Sequence, residues 1–204
     1  MIKGYGTDSG YKVATDMQQV WGGHGYIVEN GMEQFVRDAR IAMIYEGTNG
    51  IQAMDLCGRK LAANGGRAVQ AFFAMVDEEC AGAEGDLAPI ATALARANGE
   101  LKAATLWFMH NAMANPNNLG AGAYSYMTLM GTVAVGLMWL KMAKVAADKL
   151  AGGGAEDPAF YHAKLITAQH YANAFLPDAG ALRRKIEAGS EALMALPVEA
   201  FGVG

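Results

Sequence analysis

Apolar positions recur at helical spacing along most of this chain, and no stretch shows the sustained alternation or the hairpin turn chemistry of strands. From Thr7 to Trp21, Val13, Met17, Val20 and Trp21 form one stripe of a helix, which Gly22-Gly23-His24-Gly25 ends. A second helix follows Gly31 and Met32, with Phe35, Val36, Ala39 and Met43 predicted to face inward. Thr48 and Asn49 are both good N-cap residues, and a third helix is expected from about Gly50 to Ala63. Asn64-Gly65-Gly66 closes it with C-cap chemistry and marks a candidate boundary between residues 1–64 and 65–204. Beyond it, helices are predicted over Arg67–Ala83, Leu87–Ala114, Ala121–Leu150, Pro158–Leu176 and Asp178–Met194. The breaks are Gly82 to Gly85, Asn115-Pro116-Asn117-Asn118, Gly152-Gly153-Gly154 and Pro177. Asp157-Pro158 is an N-cap followed by an N1 proline. Long helices joined by short loops predict an all-α chain built as antiparallel helical bundles.

Composition narrows this picture in a few places. The 52% apolar fraction of these 204 residues excludes disorder, and the net charge of −4 argues against a nucleic-acid partner, which calls for a basic surface. Between Gly120 and Leu140 there is no charged residue, which is near transmembrane length. Four glycines, one serine and two threonines dilute that run, and its pattern continues through Lys141, Lys144 and Lys149, so a buried central helix is expected and no membrane span. Cys57 and Cys80 have no spacing for a metal or redox motif and read as reduced cysteines of a cytoplasmic protein. His24, His110, His162 and His170 are scattered, without metal-ligand company.

Candidate chemistry is concentrated between Gln19 and Gln52. In Gln19-Val20-Trp21-Gly22-Gly23-His24-Gly25-Tyr26, three glycines leave backbone N–H groups open to a phosphate or ribose, although taken alone a helix C-cap and turn is their default reading. Arg37-Asp38-Ala39-Arg40, with Glu33 one turn before, is by default a solvated charge cluster. In Ile44-Tyr45-Glu46-Gly47-Thr48-Asn49-Gly50-Ile51-Gln52, Glu46 follows apolar residues and is expected to be partly desolvated, which would make it a better proton acceptor. Gly47 leaves room for a ligand, and Thr48 offers a hydroxyl at a helix start, where phosphates bind. A buried glutamate satisfied by an arginine is the alternative.

Taken in order, Gln-x-x-Gly-Gly-x-Gly-Tyr, Val-Arg-Asp-Ala-Arg-Ile and Ile-Tyr-Glu-Gly-Thr-x-x-Ile-Gln resemble the C-terminal helical domain of acyl-CoA dehydrogenases. The match is close over residues 1 to about 62. The later helices, ending in Ala-Leu-Pro-Val-Glu-Ala-Phe, resemble the extra C-terminal domain of a bacterial branch of that family. The resemblance implies the second half of the family's helical domain followed by an additional helical domain. It also implies oxidation of acyl-CoA thioesters to trans-2-enoyl-CoA, with FAD as hydride acceptor.

By matching position, Glu46 is the base, and its backbone N–H also binds the thioester carbonyl, an oxyanion-type stabilisation. Gln19, Gly22 and Gly23 match residues at the adenine and pyrophosphate end of FAD, usually that of a neighbouring subunit, which implies a homodimer at least. Thr48 matches a residue at the FAD phosphates. Tyr45 and Gly47 match the thioester and flavin region. Gly50 departs from relatives that carry a side-chain amide there, so Asn49 is the candidate to replace that contact. Electron-transferring flavoprotein is the implied acceptor. An acyl-CoA oxidase or a non-catalytic helical assembly module are the alternatives. The family's N-terminal helical domain, middle β-domain and first C-terminal helices have no counterpart in this sequence, so it is expected to be a fragment, inactive by itself.

Overall fold

A computed structural model describes residues 1–153 and 156–202, and every regular element among them is helical. In chain order these are α1 (Ile2–Val20), α2 (Met32–Ala42), α3 (Asn49–Asp55), α4 (Arg67–Ala81), α5 (Ala88–Ala114), α6 (Pro116–Ala151), α7 (Pro158–Ala174) and α8 (Asp178–Glu187). Gly154, the last residue of the triple-glycine break, lies outside the described residues.

The axis of the fold is α6. By length and composition it could cross a membrane. Here it packs against α5, α7 and α8 along its length, and against α1 and α3 near its N-terminal half. Tyr126, Met127, Leu129, Val133, Leu137 and Leu140 are buried on it, as the uncharged run predicts. Small residues set the closest approaches. A Cβ on Gly131 would lie 2.3 Å from the Tyr5 ring, and one on Gly4 would lie 2.4 Å from Met127 Sδ. The α1–α6 crossing therefore depends on glycines from both helices. Tyr171 on α7 locks the same region by donating its hydroxyl to the Thr132 carbonyl at 2.9 Å.

Several helix ends differ from expectation. The first helix starts at Ile2, five residues early, because packing of Gly4 on Met127 overrides the poor propensity of Gly4 and Gly6. The α6 helix starts at Pro116, not Ala121: Asn115 adopts an extended conformation and its side chain caps Asn117 N at 3.0 Å. The α8 helix stops at Glu187, not Met194, because Gly189 turns left-handed (φ 68°) and Ser190 is captured by Asn118. The predicted 50–63 helix is α3 followed by a π-turn over Leu56–Lys60. The turn at 64–66 is left-handed at Asn64, Gly65 and Gly66, and one apolar core runs past it, with Ala53, Leu56 and Cys57 joined to Val69, Phe73 and Phe108. Burial pushes the Cys57 thiol up to about 12.

The first two helices are the larger departure. Phe35 does not face inward: it is 67% exposed, and α2 contains no buried residue. Val13 and Val20 on α1, and Trp21 at its C-cap, are exposed as well. The inner face of α1 packs on α6 and α3, while α2 leans only on α1 and the turns that join them, so the remaining apolar stripes are uncovered.

Candidate active site

The glycine-rich turn forms where α1 ends at Val20, with Trp21 as its C-cap. Its glycines do different work. A Cβ at Gly25 would lie 2.6 Å from the Gln18 carbonyl, so that glycine serves packing, and Gln18 Nε2 donates to the Gly25 carbonyl at 3.1 Å. Gly22 (φ 58°) and Gly23 have no atom within 4 Å of an added Cβ. Their backbone is open to solvent, and Gln19 beside them is exposed. Gly22 and Gly23 thus meet the steric demand of a close ligand.

The second part is the turn between α2 and α3. Glu46 is left-handed at φ 56°, and Gly47 follows at φ 80°. Left-handed geometry at a non-glycine residue costs about 1–3 kcal/mol and persists only where its surroundings fix it. Several bonds fix this one. Gln52 Nε2 donates to the Glu46 carbonyl at 3.0 Å. Asn49 N–H donates to the Met43 carbonyl at 3.2 Å, closing the turn on itself. Lys3 Nζ, from α1, donates to the Met43 carbonyl, the Gly47 carbonyl and Asn49 Oδ1 at 3.2, 2.8 and 2.7 Å.

The expected desolvation of Glu46 is not found. Its side chain is exposed, because the apolar neighbours Ile44 and Tyr45 are themselves exposed, at 46% and 52%. The arginine alternative fails too: Arg37 lies near Glu33, and Arg40 lies over the Tyr11 ring at 5.6 Å. Tyr45, Gly47 and Thr48 are exposed on the same turn, and the Thr48 side chain makes no capping hydrogen bond.

Asn49 has a different place from the cofactor contact expected of it. It is 4% exposed. Its Nδ2 donates to the Gly4 carbonyl and to Asp8 Oδ1 at 3.1 and 2.6 Å, with Thr7 Oγ1 also in reach at 3.0 Å. With Oδ1 taken by Lys3, its amide is spent inside the chain. Asp8 in turn accepts from the Tyr124 hydroxyl on α6, and burial with that carboxylate beside it pushes the Tyr124 phenol up to about 12. None of Lys3, Asp8, Gln52 or Tyr124 figured among the predicted site residues.

The two parts of the site lie at opposite ends of α2. The α2 helix between them spans eleven residues, about 16 Å at 1.5 Å rise. An apolar cavity of about 410 Å³ lies elsewhere, lined by Cys57, Leu61, Val69, Phe108 and Leu119, and includes none of the predicted site residues.

The described residues are all helical, with an open glycine corner and an exposed carboxylate raised on a pegged left-handed turn, and this defines a helical domain with a candidate site on its surface. Residues 1–61 match the family described as acyl-CoA dehydrogenase, C-terminal domain, and residues 72–197 match that described as acetyl-CoA dehydrogenase C-terminal like. The chain belongs to the acyl-CoA dehydrogenases. It is 36% identical to 3-methylmercaptopropionyl-CoA dehydrogenase of Ruegeria pomeroyi, over 95% of this chain and 33% of the relative. It is 30% identical to the broad-specificity linear acyl-CoA dehydrogenase FadE5 of Mycobacterium tuberculosis, over 98% of this chain and 34% of the relative. Over 61 residues it is 48% identical to cyclohex-1-ene-1-carbonyl-CoA dehydrogenase of Geobacter metallireducens, 30% of this chain and 16% of that protein. The chain spans about a third of the length of the first two relatives.

Proposed function

We propose that this chain forms the base-bearing part of an FAD-dependent acyl-CoA dehydrogenase that converts acyl-CoA thioesters to trans-2-enoyl-CoA. The observation that carries the reading is Glu46: a strained turn, pegged from α1 and α3, displays a carboxylate with no ion-pair partner among the described residues. In this role the Glu46 carboxylate accepts the α-proton, and the Glu46 backbone N–H donates to the thioester carbonyl and acidifies the α-carbon. Bound FAD supplies the hydride acceptor. Gln19, the open backbone at Gly22 and Gly23, and the uncommitted Thr48 hydroxyl would hold it.

A base in open water is a poor proton acceptor for so weak a carbon acid. The exposed Ile44, Tyr45 and Ile51 near Glu46 in the chain are the surface on which water would be excluded once covered. The isolated chain therefore binds FAD weakly and has no dehydrogenase activity. In the complete enzyme we assign electron-transferring flavoprotein as acceptor and a homodimer as the minimal assembly.

The test uses a dehydrogenase of full family length that carries this sequence. Glu46→Gln should lower acyl-CoA-dependent flavin reduction by about 10²–10⁴-fold and leave flavin bound. Turnover near wild type in that variant would refute the assignment. Supplying electron-transferring flavoprotein or oxygen to the wild type separates dehydrogenase from oxidase.

A further inference from the structure

We infer that Lys3 is a positioning residue that sets the orientation of Glu46 by pegging its left-handed turn from beneath. The inference rests on the reading of Glu46 as the base. An ammonium group has three N–H donors and no acceptor. All three donors of Lys3 are committed to oxygens of one short segment: the Met43 carbonyl, the Gly47 carbonyl and Asn49 Oδ1. No carboxylate among the described residues forms an ion pair with Lys3, so the charge is satisfied by the turn itself. Lys3 is half-buried, and it reaches the turn from 40 to 46 residues away in sequence.

The anchored oxygens bracket Glu46. With Gln52 on the Glu46 carbonyl, three consecutive points of the turn are fixed: before it at Met43, at it, and after it at Gly47. That is the over-determination a non-glycine φ of 56° requires. The direction in which an L-residue projects its side chain follows from φ and ψ. Relaxation of Glu46 to an ordinary negative φ would swing its carboxylate out of the present position while leaving every helix in place. The peg is itself braced. Asn49, its third acceptor, is held by Asp8, and Asp8 accepts from Tyr124 on α6, so the position of the turn is referred back to the longest helix of the fold.

The experiment has two arms. In the 204-residue chain, Lys3→Met keeps the stem and removes the donors. Amide hydrogen exchange should accelerate roughly tenfold or more at Asn49, whose N–H closes the turn on Met43, with little change along α6 between Tyr126 and Leu140. Lys3→Arg should restore most of the protection. Lys3→Gln, a shorter side chain with two donors, gives an intermediate opening and serves if the Met variant does not fold. Uniform acceleration across the fold would make Lys3 a general stabiliser and overturn the proposal, as would an unchanged Asn49 amide. In the dehydrogenase of full family length, Lys3→Met should lower kcat by roughly tenfold with KM and flavin content unchanged, and Lys3→Arg should recover part of it. A rise in KM with kcat intact would likewise overturn it. Exchange reads the peg without reference to turnover, whereas Glu46→Gln reads the base, so failure of either claim is visible separately.

Discussion

Replacing Asn49 by alanine removes the buried amide on which α1, the Glu46 turn and α6 converge. At 4% exposure, no water replaces the lost contacts. Two of its bonds involve charged partners, Asp8 Oδ1 at 2.6 Å and Lys3 Nζ at 2.7 Å, and a third goes to the Gly4 carbonyl at 3.1 Å. At about 1.5 kcal/mol for each charge-assisted bond and about 1 for the neutral one, the loss comes to about 4 kcal/mol. For a chain of this size each kcal/mol moves the melting temperature by about 2–4 °C, so Tm should fall by about 12 °C. Far-UV circular dichroism during heating, with a urea titration alongside, measures both quantities. A fall under about 3 °C would show that Asn49 is solvated or dispensable, and would remove the brace inferred for the Lys3 peg.

Gly131→Ala should destabilise by about 1–3 kcal/mol despite the better helix propensity of alanine, because the new Cβ meets the Tyr5 ring at 2.3 Å. Gly99→Ala, on an open face of α5, should stabilise by up to about 1 kcal/mol, and a urea titration of the pair checks both signs. Glu79 links α4 to α6 by accepting from Lys144 at 2.9 Å and Lys141 at 3.2 Å, and the Lys144 contact foremost holds its carboxyl below the ordinary 4.5. That stabilisation is present above the ordinary value and is lost as pH falls through the depressed one, so the denaturation-midpoint gap between wild type and Glu79→Gln should close from about pH 5 downward.

The helices were legible in the sequence because their signals are local. Asp157-Pro158 starts α7 as a cap and N1 proline, with Asp157 accepting from Phe160 N–H at 3.2 Å, and the uncharged run became the core helix. The motif around Glu46 was legible for the same reason, since its residues lie within nine positions of one another. The peg beneath it was not: Lys3, Asp8 and Tyr124 meet the turn or its brace across 40 to 116 residues, and a lysine in a glycine-rich helix start carries no sign of such partners. Apolar neighbours in sequence suggest a desolvated Glu46, whereas Ile44 and Tyr45 are themselves half exposed and do not shield it. The Phe35 stripe misled likewise, since periodicity locates an apolar face but does not say whether this chain or another surface covers it.

The interlock of Gly131 with Tyr5, and of Gly4 with Met127, bears on how such proteins can be rearranged. Residues matched by one family profile close into hollows left by residues matched by the other. A cut at the Asn64–Gly66 turn would strip an aromatic ring of its socket on one piece and open a groove on the other. Exchange of the trailing helices between relatives should therefore succeed only when the first helix travels with them.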